Sequence, residues 1–427
     1  MSVLDVVHPS SLSRIGAVPL PRISATVAAG SMAAVSLAPG LLPRTAVLQG
    51  LFSGVLMAVG IFVAWALTTA LQKTALRTGP RRVDTRSWRA RTTFVSTAVV
   101  AMFATSANGW QNSLRVAMGA PPIGVRYWVE VMCIAALTVL ILTAVTSGIR
   151  KVLHRLGFAR SLGIAAICAF GLHLAFGGIA TASAQSVEGQ KFLAAGTDSV
   201  RVYADLDSGP NARSRADQAV AELDHVGGFA RSAVVVAVPT GSGWIDTRAV
   251  DGIEQRFGSD VAIVGQQYSA APSWAAFLFQ RSDAEESAQT LLTAVATRIA
   301  ELPAADRPDL YLYGQSLGAV GGSAALTETL PTQLCAVLWA GPPAGATRVE
   351  GTTVLANTSD PVVWWSPTLM TTPPDLSHAV QDAPMPQWIP VVSFLQTSVD
   401  MLASLDVPAG HGHRYGTEQG TQLGTCH

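Results

Sequence analysis

The stretch Leu310-Tyr-Leu-Tyr-Gly314-Gln-Ser316-Leu-Gly318-Ala-Val-Gly-Gly-Ser-Ala-Ala-Leu326 decides how the second half of this chain folds. An apolar, aromatic run typical of a buried strand leads into Gly-x-Ser-x-Gly, and a run of small residues typical of a packed helix follows at once. On so sharp a turn a serine is exposed as a nucleophile, while the flanking glycines relieve crowding around the strained backbone. The stretch therefore predicts Ser316 as a nucleophile; the alternative is a glycine-rich turn without chemistry.

Charged residues are scarce in this chain, and the scarcity is concentrated before residue 185. They make up 13% of the sequence and hydrophobic residues 49%, whereas a soluble domain carries about 25% charged residues. Five apolar stretches have the composition of membrane spans, and the first is the weakest because it is short and rich in small residues. They are Ile23–Pro39, Ala46–Leu71, Thr92–Trp110, Tyr127–Ile149 and Ser161–Ser183. We expect a membrane domain of about five transmembrane helices over residues 1–184 and a globular domain over residues 185–427.

Positive charges divide the connections between these spans into two classes. Clusters of Arg and Lys follow the second and fourth spans, and two arginines precede the first, whereas the other connections carry only Arg44, Arg115 and Arg126. Cytoplasmic loops carry the excess of Lys and Arg, so we expect a multi-pass protein of the cell membrane with its N-terminus in the cytoplasm. Five spans then place everything after about Ala184 outside the cytoplasm.

Short apolar runs alternate with helical patterns beyond residue 185. Strands are expected at Val200–Ala204, Ser232–Val238, Val261–Gly265, Leu310–Tyr313, Cys335–Ala340 and Thr352–Ala356. This alternation predicts an α/β domain with a mostly parallel sheet that helices cover on both faces. Ligands of such sheets bind at the carboxyl ends of the strands, so we expect the chemistry in the loops that follow them.

A serine nucleophile needs a histidine base that is itself held by an acid. The candidate bases are His411 and His413, in a glycine-rich stretch near the end of the chain. His411, directly after Ala-Gly, is favoured, and His413 would then contact substrate or stabilise the loop. Asp360 follows the last expected strand and is the candidate acid, with an ordinary turn aspartate as the alternative. The remaining acidic candidates are Asp375, Asp382, Asp400 and Asp406.

Two loops supply the other parts of the predicted site. An oxyanion hole uses the backbone N–H of the residue after the nucleophile, Leu317, and a second N–H from the loop after the Ser232–Val238 strand. That loop offers the amides of Gly241, Ser242 and Gly243. Tryptophans near this loop and near the acid suit substrate binding in an acyl pocket, a surface on the bilayer or ordinary core packing. They are Trp244, Trp274, Trp364 and Trp365.

The sequence indicates neither a metal nor a cofactor. It has no Cys-x-x-Cys or His-Glu-x-x-His pattern, and a His-x-His pair without an evident third ligand is weak support for a metal site. Cys335 and Cys426 fall in the outer domain, where they suit a disulfide and two separate thiols equally well.

Several motifs taken together resemble the membrane-anchored α/β-hydrolase family of actinobacteria. They are Pro239–Trp244, Gln267–Ser269 with Pro272–Trp274, Gly314–Gly318, Asp360–Pro367 and Gly410–Tyr415. The first half also resembles the N-terminal domain of that family, in Ser36–Arg44 and Leu48–Gly50. The resemblance covers nearly the whole chain and implies an α/β-hydrolase-like domain with esterase or lipase activity.

These features combine into one functional expectation, a serine hydrolase of the carboxylic-ester class. It would act on lipid or cell-envelope esters through an acyl-enzyme, with the lipid bilayer and an ester or acyl-lipid substrate as its partners and without a cofactor. The net charge of zero gives no sign of a nucleic-acid partner. The alternatives are an acyltransferase with the same triad and a non-enzymatic membrane binding or assembly protein with a hydrolase fold. The acyl chain, the alcohol and the oligomeric state stay open.

Overall fold

The computed structural model describes residues 21–73, 86–156, 187–195, 198–271, 276–277, 280–328, 334–344, 346 and 351–426. The chain divides into two compact units. The helical unit contains the described residues up to Ala38 together with Thr45–Gly109 and Gly124–Gly148, and the α/β unit contains Pro39–Arg44, Trp110–Ile123 and the residues from Ile149 onward. This division differs from the single boundary predicted after residue 184, because Pro39–Arg44 and Trp110–Ile123 bury side chains in the α/β unit.

The first half of the described chain forms long helices. They are α1 (Ile23–Ser36), α2 (Ala46–Lys73), α3 (Arg86–Ala117) and α4 (Val125–Leu156). Among the described residues, two segments are long and apolar enough to cross a membrane, Ala46–Leu71 in α2 and Val125–Val152 in α4. The first predicted span is a shorter apolar helix, and the third lies in α3, which does not reach the same hydropathy. The fifth predicted span, Ser161–Ser183, lies outside the described residues.

Small residues and a few polar side chains hold the helical unit together. Ser36 Oγ lies 2.8 Å from Ser53 Oγ, and Gln49 Nε2 donates to the Ser36 carbonyl at 3.0 Å. A Cβ on Gly60 would lie 2.8 Å from the Ala28 carbonyl oxygen, so α1 and α2 approach closely only because this residue is glycine. Large apolar side chains of α2, including Phe62, point outward and are exposed. A helix with an apolar outer face suits a lipid environment better than water.

The α/β unit alternates strands and helices along the chain, as the sequence predicts. Its strands are β1 (Val200–Ala204), β2 (Ala233–Val238), β3 (Val261–Gln266), β4 (Asp309–Gln315), β5 (Leu334–Ala340) and β6 (Thr352–Leu355). Its helices are α5 (Val187–Ala194), α6 (Ala212–His225), α7 (Thr247–Phe257), α8 (Arg281–Glu301), α9 (Leu317–Glu328), α10 (Pro361–Trp364), α11 (Val392–Asp400) and α12 (Glu418–Thr421). The six strands form one sheet in the order β1-β3-β2-β4-β5-β6, and every pairing is parallel.

Two apolar cores cover the two faces of this sheet. Leu310 and Leu312 of β4 pack into one core with α6 and α8, and Tyr311 and Tyr313 of the same strand pack into the other with α7. Successive side chains of a strand point to opposite faces, so a strand buried on both sides has no polar alternation. The predicted parallel sheet with helices on both faces is confirmed. Its parallel strands bring the loops after β2, β4, β5 and β6 to one edge.

A buried ion pair ties the segment Pro39–Arg44 into the α/β unit. Arg44 and Asp400 have side chains 1% and 0% exposed, and Arg44 Nε lies 2.8 Å from Asp400 Oδ1. The second carboxylate oxygen accepts the backbone N–H of Leu41 at 2.7 Å. Leu41 and Leu42 are buried in an apolar cluster with Trp364 and with side chains of the segment Trp110–Ile123. The segment is therefore part of the core of the α/β unit.

The end of the chain is fixed to the sheet by a disulfide between Cys335 and Cys426. Cys335 lies in β5, and the bond spans 91 residues of sequence. Of the two possibilities that the sequence left open, the structure has the disulfide.

Candidate active site

Ser316 occupies the turn between β4 and α9 in a strained conformation. Its φ of 54° lies in the left-handed region, which serine rarely adopts. Its backbone N–H donates to the Ala340 carbonyl at 3.0 Å. A Cβ on Gly318 would lie 2.2 Å from the Val238 carbonyl oxygen, so the glycine lets the turn approach the end of β2. Such strain costs roughly 1–3 kcal/mol and typically marks a functional site.

Asp360 follows β6 and is completely buried. It caps α10, since its Oδ1 accepts the backbone N–H of Val362 at 2.8 Å. Its Oδ2 lies 2.7 Å from His413 Nδ1 and accepts the hydroxyl of Tyr415 at 2.6 Å. Burial, and then the charge of Asp360, raise the pKa of Tyr415 well above its ordinary value. The phenol therefore stays protonated and remains a hydrogen-bond donor to the carboxylate.

His413 is nearly buried, and its two ring nitrogens differ in their surroundings. Nδ1 faces the Asp360 carboxylate, whereas the buried Nε2 has no hydrogen-bond partner among the described residues. Because a carboxylate accepts the Nδ1 proton, the neutral ring carries its lone pair on Nε2. The ring is thus prepared to take a proton at that atom.

Gly341 lies between the turn at Ser316 and the Asp360–His413 pair, at one edge of the sheet. It follows Ala340, whose carbonyl accepts the Ser316 N–H. A Cβ on Gly341 would lie 2.5 Å from His413 Cε1 and 2.7 Å from Asp360 Oδ2. Only a residue without a side chain leaves room for the imidazole at this position. The predicted acid and one of the two candidate histidines are therefore in contact, and the turn that holds the predicted nucleophile bonds to the residue before Gly341.

His411 belongs to a different acid–histidine pair. Its Nδ1 lies 3.0 Å from Asp382 Oδ2, and its side chain is 20% exposed. Asp382 was among the remaining acidic candidates of the sequence. The structure thus gives each of the two histidines its own carboxylate, and it is His413 that contacts Asp360.

The loop after β2 forms a tight turn beside the nucleophile. The Thr240 N–H donates to the Trp244 carbonyl and the Gly243 N–H donates to the Thr240 carbonyl, both at 2.9 Å. The amides of Gly241 and Ser242 donate to no backbone carbonyl among the described residues. Of the three predicted donors in this loop, the Gly243 amide is thus committed within the turn. Leu317 begins α9, where N–H groups lack acceptors within the helix.

The profile described as "Alpha/beta-hydrolase family" matches residues 200–354 and 349–423 of the chain. The chain belongs to this α/β-hydrolase family. A second profile, described as "Alpha/beta-hydrolase family N-terminus", matches residues 37–212. No curated protein and no solved structure matched the chain. Membership of an α/β-hydrolase family, which the motifs resembled, is thereby confirmed, and the matches name neither a substrate nor a catalytic residue.

The tryptophans predicted near the site of this α/β-hydrolase have separate environments. Trp364 is buried in the apolar cluster that contains Leu41, so it contributes to the core. Trp365 is half-buried between Phe277 and Phe394, with ring centroids 5.4 and 5.8 Å away. Trp244 is half-buried in the turn after β2, and Trp274 lies outside the described residues. The Phe277–Trp365 pair is edge-to-face and the Trp365–Phe394 pair is tilted. Because Phe277 packs against the cluster that contains Leu317, the three contacting rings form a wall that starts beside the elbow of the α/β-hydrolase.

Two functional neighbours of this α/β-hydrolase site were missed in the sequence. Tyr415 lies two residues after His413, and that spacing places both side chains on one side of an extended chain. Gly341 follows β5 directly, where a close backbone approach is expected of a glycine. Both signals were present in the sequence, but only the folded chain shows which acid they meet.

One group of described residues has the composition of a metal site. The ligand atoms of Asp309, Cys335 and Cys426 lie within 4.8 Å of one another. The two sulfur atoms are joined in a disulfide and offer no thiolate, which is the form that binds metals. These residues therefore do not fit a metal ion in the state that the structure shows.

Proposed function

We propose that this α/β-hydrolase is a membrane-anchored serine hydrolase that cleaves lipid or cell-envelope esters through an acyl-enzyme. One observation carries the proposal. The buried Asp360–His413 pair leaves Nε2 of the imidazole without a hydrogen-bond partner among the described residues. The strained Ser316 bonds through its N–H to Ala340, and the next residue, Gly341, borders the imidazole. A serine, a histidine and a buried carboxylate in this relation are the parts of a nucleophilic triad.

In the proposed reaction, Ser316 Oγ bonds to the ester carbonyl carbon while His413 Nε2 takes the hydroxyl proton. The imidazolium that forms is stabilised by Asp360, which Tyr415 and the Val362 N–H hold in place. The alcohol leaves with the proton from Nε2. A water molecule then repeats the sequence on the acyl-enzyme and releases the acid.

The negative charge on the carbonyl oxygen is the second requirement of the reaction. The Leu317 amide and one of the amides of Gly241 and Ser242 are suited to bind it, because they lie beside the nucleophile without a backbone acceptor. Such donors are worth about 10²–10³ in rate each, since they are already oriented before the charge develops.

The choice between the two histidines rests on their partners. His413 is the proposed base because its Nδ1 contacts Asp360 and its Nε2 has no hydrogen-bond partner in the described part of the chain. His411 contacts Asp382 and is more exposed to solvent. This assignment replaces His411, which its sequence context alone favoured.

The division of the chain into two units supports an outward-facing active site. The connections that carry few positive charges are Pro39–Arg44 and Trp110–Ile123, and both belong to the α/β unit. Since loops poor in Lys and Arg lie outside the cytoplasm, these two connections and the domain after about Ala184 belong there, whereas the cationic connection after the fourth predicted span stays in the cytoplasm. A disulfide between Cys335 and Cys426 suits such an oxidising compartment.

An apolar segment between the acid and the base supports a lipid substrate. No charged residue lies between Asp382 and Asp400, and Met370, Ile389 and Val391 expose their side chains. Met370 and Val391 are neighbours, because the Val391 N–H donates to the Met370 carbonyl at 3.0 Å. We infer that this surface and the ring wall of Phe277, Trp365 and Phe394 receive an acyl chain at the bilayer.

A fluorophosphonate probe tests the proposal on the full chain in detergent. We expect labelling of wild type, none of Ser316→Ala, and normal labelling of Ser242→Ala, the matched control that keeps its backbone amide. An unlabelled wild-type protein would leave only the non-enzymatic alternative. Transfer of the acyl group to an added alcohol in preference to water would identify the acyltransferase instead.

Thiol chemistry tests the orientation in intact cells. A membrane-impermeant alkylating reagent should modify Cys335 and Cys426 only after reduction of their disulfide from outside. Modification without reduction, or only after cell lysis, would contradict the proposed placement.

A further inference from the structure

The second acid–histidine pair, His411 with Asp382, has no step in the proposed reaction, although His411 lies only two residues before the proposed base. We propose that Asp382 and His411 are positioning residues that lock two loops together and so hold His413 against Asp360. The acid loop is Asn357–Asp360, and the histidine loop is Gly410–Tyr415. The inference rests on the proposed role of His413 as the base.

Asp382 accepts hydrogen bonds from the acid loop with both of its carboxylate oxygens. Oδ1 accepts the Ser359 backbone N–H at 2.9 Å and the Thr358 hydroxyl at 3.2 Å. Oδ2 accepts the Ser359 hydroxyl and, at 3.0 Å, the Nδ1 proton of His411. The carboxylate is 7% exposed. A nearly buried carboxylate with four donors is a rigid point of attachment, because each donor lost would leave an unsatisfied charge.

The Ser359 hydroxyl connects Asp382 to the histidine loop, because it forms a hydrogen bond with each. It donates to Asp382, and it accepts the Gly412 N–H at 2.8 Å. The Gly412 carbonyl accepts the Asn357 side-chain amide at 2.9 Å. Both polar groups of the residue between the two histidines are thus held by the acid loop.

The conformation and tight surroundings of Gly412 require a glycine between the two histidines. Its φ is +53°, and a Cβ there would lie 2.8 Å from Val407 Cγ2 and 2.9 Å from the Ser404 carbonyl oxygen. His411 and His413 flank this glycine and face different carboxylates of one connected network. Loss of Asp382 or of the His411 donor removes one of the attachments between the two loops and leaves those of Gly412 to Ser359 and Asn357. We expect the looser histidine loop to hold His413 less well against Asp360, which the proposed reaction needs at 2.7 Å.

Active-site titration separates positioning from folding. A fluorophosphonate counts the reactive serines, and the turnover of a soluble short-chain ester is then expressed per titrated site. For Asp382→Asn we expect the titrated fraction to stay near that of wild type while kcat per site falls by roughly 10-fold to 100-fold, since small misplacements of a base have such effects. KM for the soluble ester should change little, because the residue does not touch substrate.

Matched substitutions distinguish His411 from a base. Gln at position 411 can still donate to Asp382, so His411→Gln should keep kcat within about 3-fold of wild type, whereas His411→Ala should behave like Asp382→Asn. His413→Gln loses the base itself and should be inactive. Asp406→Asn is the control, an exposed aspartate of the same connection.

Amide hydrogen exchange measures how firmly the histidine loop is held, and it does not depend on catalytic activity. In Asp382→Asn the peptide that contains Gly412 should exchange roughly 10-fold faster than in wild type, while that of α6 is unchanged. Two outcomes overturn the inference: His411→Gln as inactive as His413→Gln, or unchanged exchange and unchanged kcat per site in Asp382→Asn. If no probe labels wild type but the Gly412 peptide still exchanges faster in Asp382→Asn than in wild type, the lock stands and the proposed hydrolase activity is refuted.

Discussion

Asp360 and Asp400 are both completely buried in the α/β unit, yet their partners give them opposite roles. Asp400 faces a guanidinium, which carries its positive charge at every accessible pH. Asp360 faces an imidazole ring nitrogen at 2.7 Å and a phenol hydroxyl that donates to it at 2.6 Å. The charge of Asp400 is therefore compensated permanently, whereas that of Asp360 is compensated fully only when His413 takes a proton.

This difference separates a carboxylate that is suited to stabilise the fold from one that is suited to stabilise a step of the proposed reaction. A buried ion pair recovers the cost of desolvation only while both partners are present. A buried carboxylate beside a neutral imidazole instead favours the imidazolium that forms in the transition state. Burial alone does not distinguish the two aspartates, but the protonation chemistry of the partner does.

The largest expected effect on kcat comes from a substitution of Asp360, the proposed catalytic carboxylate of the pair. Asp360→Asn should lower kcat per titrated site by about 10⁴-fold, since an amide neither fixes the tautomer of His413 nor stabilises its charged form. Asp400→Asn should leave kcat per folded site unchanged. Equal losses of kcat in the two variants would show that the comparison is wrong.

The structural member is tested by removing its cation. Arg44→Met leaves Asp400 buried and unpaired and should cost about 3–5 kcal/mol of unfolding free energy. The double variant Arg44→Met with Asp400→Leu should recover most of that loss, since no charge then remains buried. Urea unfolding of the purified chain measures both. A double variant as unstable as the single one would mean that packing at this site, and not charge, sets the cost.

Tyr415→Phe tests how much the hydrogen bond from the Tyr415 hydroxyl contributes to the proposed role of Asp360. Removing the hydroxyl takes away a hydrogen bond to a charged acceptor, and we expect kcat to fall by about 10-fold. The raised pKa of Tyr415 also has a consequence for stability. Its contribution is complete below the ordinary tyrosine pKa of about 10 and is lost as the pH rises above that value. The decline of unfolding free energy in alkali should therefore be shallower in the variant than in wild type.

The smallest expected effect comes from an exposed ion pair. Arg213 and Asp217 lie 3.2 Å apart with side chains 69% and 59% exposed. Arg213→Ala should change the unfolding free energy by no more than about 0.5 kcal/mol, because water already solvates both charges. If Arg213→Ala lost as much unfolding free energy as Arg44→Met, burial would not explain why the two ion pairs differ in their contribution to stability.

The sheet was predictable from sequence because its strands are locally recognisable. Each of the six predicted strands lies within two residues of an observed one at both ends, since short apolar runs between helices leave little choice of structure. The elbow at Ser316 was predictable for the same reason. The order of the strands was not predicted, because it depends on pairings between distant segments.

The choice between His411 and His413 depended on contacts that no local pattern encodes. Both histidines lie in one glycine-rich stretch, and their carboxylates come from segments 53 and 29 residues earlier in the chain. The Arg44–Asp400 pair was missed because a lone arginine between two apolar stretches predicts topology and not a partner. In each case the decisive contact joins residues that the sequence does not place side by side.

The distance along the chain between Arg44 and Asp400 also governs how this protein is made. The two residues are separated by 356 positions, so at ordinary rates of translation Arg44 is synthesised roughly 20 to 70 s before its partner exists. Leu41 and Leu42 are likewise synthesised long before Trp364 and Val407, two of their apolar neighbours in the folded unit. The apolar cluster around Leu41 and Leu42 therefore closes only late in synthesis, and chains that stop before Asp400 leave an arginine and two leucines exposed to quality control.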